Sequence, residues 1–427
     1  MAAAQAPVFV VDGARTPFLG SSGRGGPFSA VDMAVWAGRP LLLRQPFGPP
    51  ALDEVLLGCL HPAADEPNPG RLAAFRLGGV TTPGRTVQRG CGSGLQAVDD
   101  GCRAIAAGRA DLVLVGGAEA HSRQAPLLSA DAAAWLDDWH HASTTERARL
   151  LAGLRPSHLP VADAVPSDPV DPLSGLTMAQ AADAVGYRFG IRRGDADRYA
   201  LESHHRASRA REAGRVAEIE PLYDAAGTCY LHDDAVRAGV TVEQLAGLEP
   251  SVDRPYGNVT AGNSSAPADG AAWLLLASEP ACARWSLRPR GRVVDTQWAG
   301  LAPQLAGLGP VFAVSPLLLR HGLSAGEVGA WEVDEAFAAQ LLACLAAWES
   351  DSFCRDHLGL EAAVGPIDRA RLNVDGGAIA LGRPAGASGT RLVLQLLEVL
   401  HRSGERWGMA ALAVGGGQGG ALLMEAL

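Results

Sequence analysis

Two stretches far apart in the chain share one order of turn, helix and strand, and this duplication constrains the fold more than any other feature. Residues 91–120 read CGSGLQAVDDGCRAIAAGRADLVLVGGAEA, and residues 386–423 read GASGTRLVLQLLEVLHRSGERWGMAALAVGGGQGGALL. In each, a turn of small residues precedes apolar residues at helical spacing, a glycine (Gly108 or Gly404) ends the helix, and a short apolar strand follows. Glycine-ended strands that alternate with helices predict a duplicated α/β core with helices covering sheets.

Length and composition fit such a fold and exclude several classes of protein. The chain has 427 residues, 48% of them apolar and 19% charged, which predicts a globular protein with more than one packed unit. A formal net charge of -10 gives no electrostatic reason to expect nucleic acid as a partner. No apolar run approaches the 18 residues of a membrane span.

The cysteines favour a reducing compartment. There are seven, an odd number without CxxC pairs, which argues against a disulfide framework and against a structural zinc site. We therefore predict no metal and a cytoplasmic location. The paired histidines His140–His141 and His204–His205 are interpreted as solvated surface residues, because adjacent positions on a helix point in different directions.

The middle of the chain has a different texture and predicts an insertion. Residues 156–175 are rich in proline and predict no regular structure, whereas residues 195–214 predict a polar helix that ends at a glycine. A long insertion on a rigid scaffold is often a binding loop.

We therefore divide the chain into four segments. Residues 1–125 form an N-terminal half, 126–255 an inserted loop domain for cofactor or partner binding, 256–290 a return to the N-terminal half, and 291–427 a C-terminal half.

Cys91 is the leading candidate for a nucleophile. It lies in RGCGSG just before the first repeated helix, where backbone N–H groups and the helix dipole favour a thiolate over a thiol. The alternative is an inert buried cysteine, which is the commoner situation. Glycines on both sides permit close approach of a ligand and favour the functional interpretation.

Seven blocks of sequence resemble the thiolase family, in that family's order and over nearly the whole chain. They are DGARTPF, RGCGSGLQAV, VGGAEAHS, GNVTAGNSSAPADGAA, EVDEAFAAQ, NVDGGAIALGRPAGASG and VGGGQGG. SHLPVADAV, GLTMAQAADAV and the spacer AAWESDSFCRDHLGL look most like the β subunits (3-ketoacyl-CoA thiolases) of fatty-acid oxidation complexes. The resemblance implies a coenzyme A thioester as substrate with no permanently bound cofactor, a homodimer, and a partner enzyme subunit.

The resemblance also carries individual residues over to this chain. Cys91 falls on the family's nucleophile, and its N–H together with that of Gly415 matches the second oxyanion hole. Ser265 matches a residue near the pantetheine arm of coenzyme A, and Ala266 follows it where the family has glycine.

Three side chains depart from the family pattern, so the catalytic set is degenerate. Arg383 stands where the family has the histidine that takes the nucleophile's proton, Ala413 where it has the cysteine acting on the α carbon, and Asp334 where it has asparagine or histidine. An arginine cannot act as a base, but its charge could hold a thiolate. We expect Arg383 to pair with Asp334, either for catalysis or merely to fill a dead pocket. His121, where the family usually has methionine, is a weaker candidate for a substitute base.

Three functions remain open on these residues. The first is an acyltransferase that forms an acyl-cysteine at Cys91 from an acyl-CoA or other acyl thioester. Its carbon–carbon chemistry is expected to be weak or lost, because each missing acid or base costs about 10²- to 10⁴-fold. The second is a catalytically silent subunit that scaffolds a partner enzyme. The third is a 3-ketoacyl-CoA thiolase with unusual acid and base groups.

Overall fold

The computed structural model describes residues 6–21, 25–124, 127–155, 161–162 and 170–427. Its strands are β1 Val8–Arg15, β2 Leu19–Gly20, β3 Glu54–Gly58, β4 Gly84–Val87, β5 Leu112–Ala120, β6 Leu127–Leu128, β7 Val161–Ala162, β8 Leu222–Tyr223, β9 Cys229–Tyr230, β10 Ala268–Ser278, β11 Gly291–Gly300, β12 Ala330–Val333, β13 Trp407–Val414 and β14 Gln418–Ala426.

The helices cover the sheet and also lie in the segment predicted as an insertion. They are α1 Ala30–Leu43, α2 Pro69–Arg76, α3 Ser93–Ala106, α4 Ala130–His141, α5 Thr144–Ala152, α6 Met178–Arg188, α7 Arg193–Glu212, α8 Val242–Ala246, α9 Glu279–Trp285, α10 Gly309–His321, α11 Ala338–Glu349, α12 Asp351–Leu358, α13 Ala378–Leu381 and α14 Ser388–Ser403. No helix in the described ranges is both long enough and apolar enough to cross a membrane.

The two halves repeat one strand order, as the duplicated sequence predicts. In the first half the order is β1-β10-β5-β3-β4, and in the second it is β11-β14-β13-β12. The pairs β1–β10 and β10–β5 are antiparallel and β5–β3 is parallel, while β11–β14 and β14–β13 are antiparallel and β13–β12 is parallel. Antiparallel pairing of β1 with β11 joins the halves into one sheet. The predicted duplicated α/β fold is therefore correct.

The two repeated helices pack against each other at the centre of the molecule. The apolar positions expected to face the core are buried, among them Leu95 and Ile105 on α3 and Leu396 and Leu400 on α14. Both helices end before a glycine with positive φ, +66° at Gly108 and +70° at Gly404, which suits glycine because it has no side chain to clash.

Glycine lets the starts of these helices touch. A Cβ on Gly94 would lie 2.7 Å from the carbonyl oxygen of Gly386, and one on Gly389 would lie 2.3 Å from the backbone nitrogen of Leu95. The Thr390 hydroxyl donates across the junction to the carbonyl of Gly94 at 3.2 Å. The residues just before α3 therefore lie next to the residues just before α14.

The described part of the insertion is tied to the core by a buried arginine. Arg15 at the end of β1 donates to both oxygens of Asp233, at 2.7 and 2.9 Å, and to Glu218 at 3.0 Å. The polar helix predicted here is α7, and it ends before Gly214 as expected. Much of the proline-rich stretch at 156–175, including most of SHLPVADAV, lies outside the described residues.

One expectation about the insertion is wrong. His204 is buried rather than solvated, and its Nδ1 accepts a hydrogen bond from the backbone N–H of Arg237 at 3.2 Å. Burial lowers the pKa of His204 to about 4, and the charge of Arg237 adds to that shift. Adjacent residues on a helix point in different directions, so one histidine of the pair can face solvent while the other is buried.

Candidate active site around Cys91

Cys91 stands in a tight turn immediately before α3. Gly90 has φ +51°, and the Ser93 hydroxyl closes the turn by donating to the Gly90 carbonyl at 2.6 Å and accepting from the Arg89 N–H at 2.9 Å. Cys91 is partly exposed, whereas Cys59, Cys102, Cys282, Cys344 and Cys354 are buried. The sulfur therefore combines access with a position at a helix N-terminus, the two features expected of a nucleophile.

Arg383 points at the sulfur of Cys91. Its Nη1 lies 3.3 Å from Cys91 Sγ in hydrogen-bonding geometry, and its side chain is only 12% exposed. The backbone N–H of Arg383 donates to the Ala266 carbonyl at 2.8 Å, which fixes the residue in the turn between α13 and α14. The guanidinium is thus aimed inward at the predicted nucleophile.

Asp334 receives the rest of that guanidinium, so the expected ion pair is present. Nε and Nη2 of Arg383 donate to Asp334 Oδ2 at 2.9 and 2.6 Å, and Asp334 is 1% exposed. Burial opposes the charge on Arg383, but the charges of Asp334 and Cys91 outweigh it and raise the pKa of Arg383 further above its usual range. The arginine therefore stays protonated and cannot take a proton from Cys91.

A buried cluster around the next residue holds Asp334 in place. Glu335 accepts hydrogen bonds from the hydroxyl of Tyr199 at 2.8 Å, the amide of Asn373 at 2.8 Å and the hydroxyl of Ser203 at 2.7 Å. The backbone N–H of Asp334 itself donates to the Ala411 carbonyl at 2.9 Å. Sequence reasoning missed Glu335, although it stands in the EVDEAFAAQ block.

The end of β13 closes the other side of the Cys91 turn. Val414 packs so tightly on it that a Cβ on Gly90 would lie 3.2 Å from Val414 Cγ1. Gly415 follows in the turn between β13 and β14, where its missing Cβ would be 3.6 Å from Met178 Sδ. Ala413 is buried in β13 and offers no group that could transfer a proton. Gly415 and Ala413 thus belong to the neighbourhood that the sequence predicts, and the oxyanion role of Gly415 stays a prediction.

Ser265 and Ala266 lie on the loop that runs beside Arg383. The Ser265 N–H and hydroxyl both lie 3.0 Å from the Ala336 carbonyl, so its hydroxyl is engaged with the chain just beyond Asp334. Ala266 is exposed. Their proximity to Arg383 is compatible with a ligand-binding loop, and their contact with coenzyme A stays a prediction.

His121 belongs to a polar cluster at the end of β5. Burial lowers its pKa, an effect that the charge of Asp269 opposes, and His61 is a second histidine nearby. In the same cluster Glu119 accepts backbone hydrogen bonds from Leu60, His61 and Gly386, at 3.0, 3.1 and 3.0 Å. The role of His121 as a substitute base stays a prediction.

Sequence reasoning also missed a charged pair behind Asp334. The side chain of Arg391 is 3% exposed and that of Glu332 is 1% exposed, and the two are joined at 3.2 Å. The sequence signal that could have identified this pair is the permanent charge of Arg391 near the start of the leucine-rich helix α14. Within the described ranges, no three or more His, Cys, Asp or Glu side chains are grouped so that they could hold a metal ion.

Comparison with known proteins decides the family. The family description "Thiolase, N-terminal domain" matches residues 8–280, and "Thiolase, C-terminal domain" matches residues 287–426. The chain belongs to the thiolase family. Membership places this thiolase-family protein among acyltransferases.

Individual relatives cover almost its full length. It is 39% identical to the β-ketoadipyl-CoA thiolase of Pseudomonas aeruginosa, with 98% of each chain covered. It is 34% identical to a 3-ketoacyl-CoA thiolase of Pectobacterium atrosepticum, over 97% of this chain and 95% of that one. The crystal structure of human mitochondrial 3-ketoacyl-CoA thiolase in complex with CoA superposes with a TM-score of 0.85 at 32% identity, covering 99% of this chain and 98% of the other.

Proposed function

We propose that this thiolase-family protein transfers acyl groups from acyl-coenzyme A to Cys91 and on to an acceptor that is not a carbanion. The observation that carries the proposal is the contact between Arg383 Nη1 and Cys91 Sγ at 3.3 Å, in a site whose other guanidinium nitrogens are held by Asp334. A fixed cation beside an accessible sulfur stabilises a thiolate without removing its proton.

The acyl-transfer step balances without a base on the protein. Cys91 Sγ attacks the thioester carbonyl, a new carbon–sulfur bond forms, and the bond to the sulfur of coenzyme A breaks. The proton released when Cys91 ionises ends on the departing coenzyme A sulfur by exchange with water. The backbone N–H groups of Cys91 and Gly415 are proposed to hold the negative oxygen of the tetrahedral intermediate.

The same side chains argue against efficient carbon–carbon chemistry. Claisen condensation and thiolysis need an acid or base at the substrate's α carbon, and Ala413 provides none. Arg383 stays charged, so it cannot take over that role. We propose that the acceptor arrives already deprotonated or brings its own base.

The relatives favour a second candidate, a 3-ketoacyl-CoA or β-ketoadipyl-CoA thiolase with unusual acid and base groups. This candidate is supported because proteins named for those activities match nearly the whole chain at 34% to 39% identity. Under this candidate a group such as His121 replaces the missing base. The names of these relatives support an active enzyme more than a silent scaffold.

One experiment separates the three functions. The protein is incubated with acetyl-CoA, with a long-chain acyl-CoA, or with a 3-ketoacyl-CoA plus free coenzyme A, and its intact mass is followed. Coenzyme A release is measured for the two acyl-CoA donors, and acetyl-CoA formation is measured for the 3-ketoacyl donor. Acyl transfer predicts a single adduct that is absent from Cys91→Ala, with little cleavage of the 3-ketoacyl donor. Efficient thiolysis would establish the second candidate, and neither adduct nor thiolysis with any donor would leave the scaffold.

A conversion variant tests why carbon–carbon chemistry is weak. Arg383→His, Ala413→Cys and Asp334→Asn together restore the residue types that the family pattern has at these positions. If the pocket is otherwise intact, thiolysis should rise by at least about 10²-fold, the contribution of one positioned acid or base. No rise in a folded triple variant would contradict our explanation. The homodimer, the partner subunit and the cytoplasmic location remain predictions.

A further inference from the structure

A second buried ion pair lies directly behind Asp334. Glu332 and Asp334 are two residues apart on extended chain at the end of β12, so their side chains share one face. Arg391 from α14 lies against that face. Its Nη1 donates to Glu332 Oε2 at 3.2 Å and to Gln395 Oε1 at 3.0 Å, and its Nη2 is 4.0 Å from Asp334 Oδ1.

This arrangement places Asp334 between two arginines. Both hydrogen bonds from Arg383 fall on Oδ2, which leaves Oδ1 turned toward Arg391 and without a hydrogen-bond partner among the described residues. The resulting series runs Cys91, Arg383, Asp334, Arg391, Glu332, with Arg391 3% exposed and both carboxylates 1% exposed. Charges so deeply buried interact over several ångströms with little screening by water.

Stability alone does not explain the second pair. Two well-packed apolar residues usually stabilise a fold as well as a buried ion pair does, because the pair loses its hydration. One oxygen of Glu332 also lacks a hydrogen-bond partner within the described residues. Burial raises the pKa of Glu332 well above its usual range, against the attraction of Arg391. The position of this pair against Asp334 therefore points to a role in the site.

We propose that Arg391 is a positioning residue for Cys91: it balances the far side of Asp334, so that Asp334 holds Arg383 against the sulfur. Glu332 and Gln395 orient Arg391 in turn. Arg391 acts only through Asp334 and Arg383. The inference rests on the proposed function in one respect, since it takes Cys91 to react as a thiolate.

The test removes the second pair without leaving a buried charge behind. Arg391→Met alone strands Glu332 and could unfold the protein, so the informative variant is Arg391→Met with Glu332→Leu, an apolar pair of similar volume. The matched control is Arg290→Met with Glu398→Leu. That ion pair also involves α14, but its side chains are 30% and 27% exposed.

The readout is the alkylation rate of Cys91 by iodoacetamide at neutral pH, followed by peptide mass, together with ultraviolet thiolate absorbance. Exposed Cys229 in the same chain is the internal reference. We expect the apolar double variant to alkylate Cys91 about tenfold more slowly, because Asp334 loses its second partner and holds Arg383 less firmly against the sulfur. Arg391→Lys should recover part of the rate, and the control variant should match the wild-type protein.

The outcomes separate this inference from the proposed function. A folded apolar variant that alkylates Cys91 at the wild-type rate would show that Arg391 is only structural. Fast alkylation of wild-type Cys91 without any acyl adduct would reject the proposed acyl transfer and leave the role of Arg391 standing. Wild-type Cys91 reacting no faster than Cys229 would reject both.

Discussion

Removing Arg383 should destabilise the protein far more than removing an exposed arginine. Arg383→Met deletes the two hydrogen bonds of 2.9 and 2.6 Å on Asp334 Oδ2 and leaves a carboxylate that is 1% exposed. Breaking a buried pair by removing one partner typically costs about 3–5 kcal/mol, because the remaining charge has lost its hydration and its counter-ion. Arg391, 4.0 Å away on the other side, offsets part of this cost. We therefore expect a loss of about 3 kcal/mol, at the lower end of that range.

The prediction is checked by urea unfolding followed through tryptophan fluorescence. Arg383→Met combined with Asp334→Asn should recover about 2 kcal/mol of the loss, since the stranded charge is gone. The combined variant should nevertheless alkylate Cys91 slowly, because no cation faces the sulfur. Arg85→Met is the control: its side chain is 50% exposed, and a surface pair is worth at most about 1 kcal/mol. An Arg383→Met protein within about 1 kcal/mol of wild type would refute the idea that Asp334 depends on this partner.

Three further predictions test other parts of the structure by the same unfolding assay. Burial lowers the pKa of His204 to about 4, so the unfolded chain takes up a proton that the folded chain does not. The free energy of unfolding should therefore fall by about 3 kcal/mol as the pH drops from about 6.5 to 4. His204→Asn should flatten this pH dependence, and an unchanged slope in the variant would contradict the prediction. A Cβ on Gly117 would lie 2.0 Å from the carbonyl oxygen of Gly386. Gly117→Ala should therefore lower the free energy of unfolding by at least about 2 kcal/mol and slow the alkylation of Cys91. Gly300→Ala is the control and should be neutral, because a Cβ there would have nothing within 4 Å. Arg15→Met should cost about 3–5 kcal/mol and speed chymotryptic cleavage of the insertion, and equal cleavage rates would argue that other contacts dock it.

Local sequence patterns predicted part of the site. The turn before α3 and the leucine spacing of α14 identify two helix starts, and the fold brings those starts together. The Arg383–Asp334 pair was also predictable, because the resemblance implies replacements of opposite charge at these two positions. Two replacements of opposite charge indicate that the two side chains lie close together, even though the sequence gives no distance between them.

What could not be predicted depends on which neighbour covers each face. Arg391 and Gln395 are four residues apart on α14, a spacing that usually marks a solvated stripe. Here the stripe is buried, because the end of β12 presents Glu332 and Asp334 to it. His204 was misjudged for the same reason: its side of α7 is covered by the segment around Arg237. Periodicity assigns residues to a face, but only the tertiary contacts decide whether that face meets water.

The duplication itself explains why a cysteine and an arginine meet at this point. Cys91 precedes α3 in one half, and Arg383 occupies the equivalent turn before α14 in the other. Because the two helix starts touch through Gly94 and Gly389, the positive ends of both helix dipoles lie close together. In that setting an arginine adds a fixed charge to a field that is already positive, whereas an imidazole adds a group that can release its proton. We predict that the replacement stabilises an anionic sulfur further and removes the means of proton transfer.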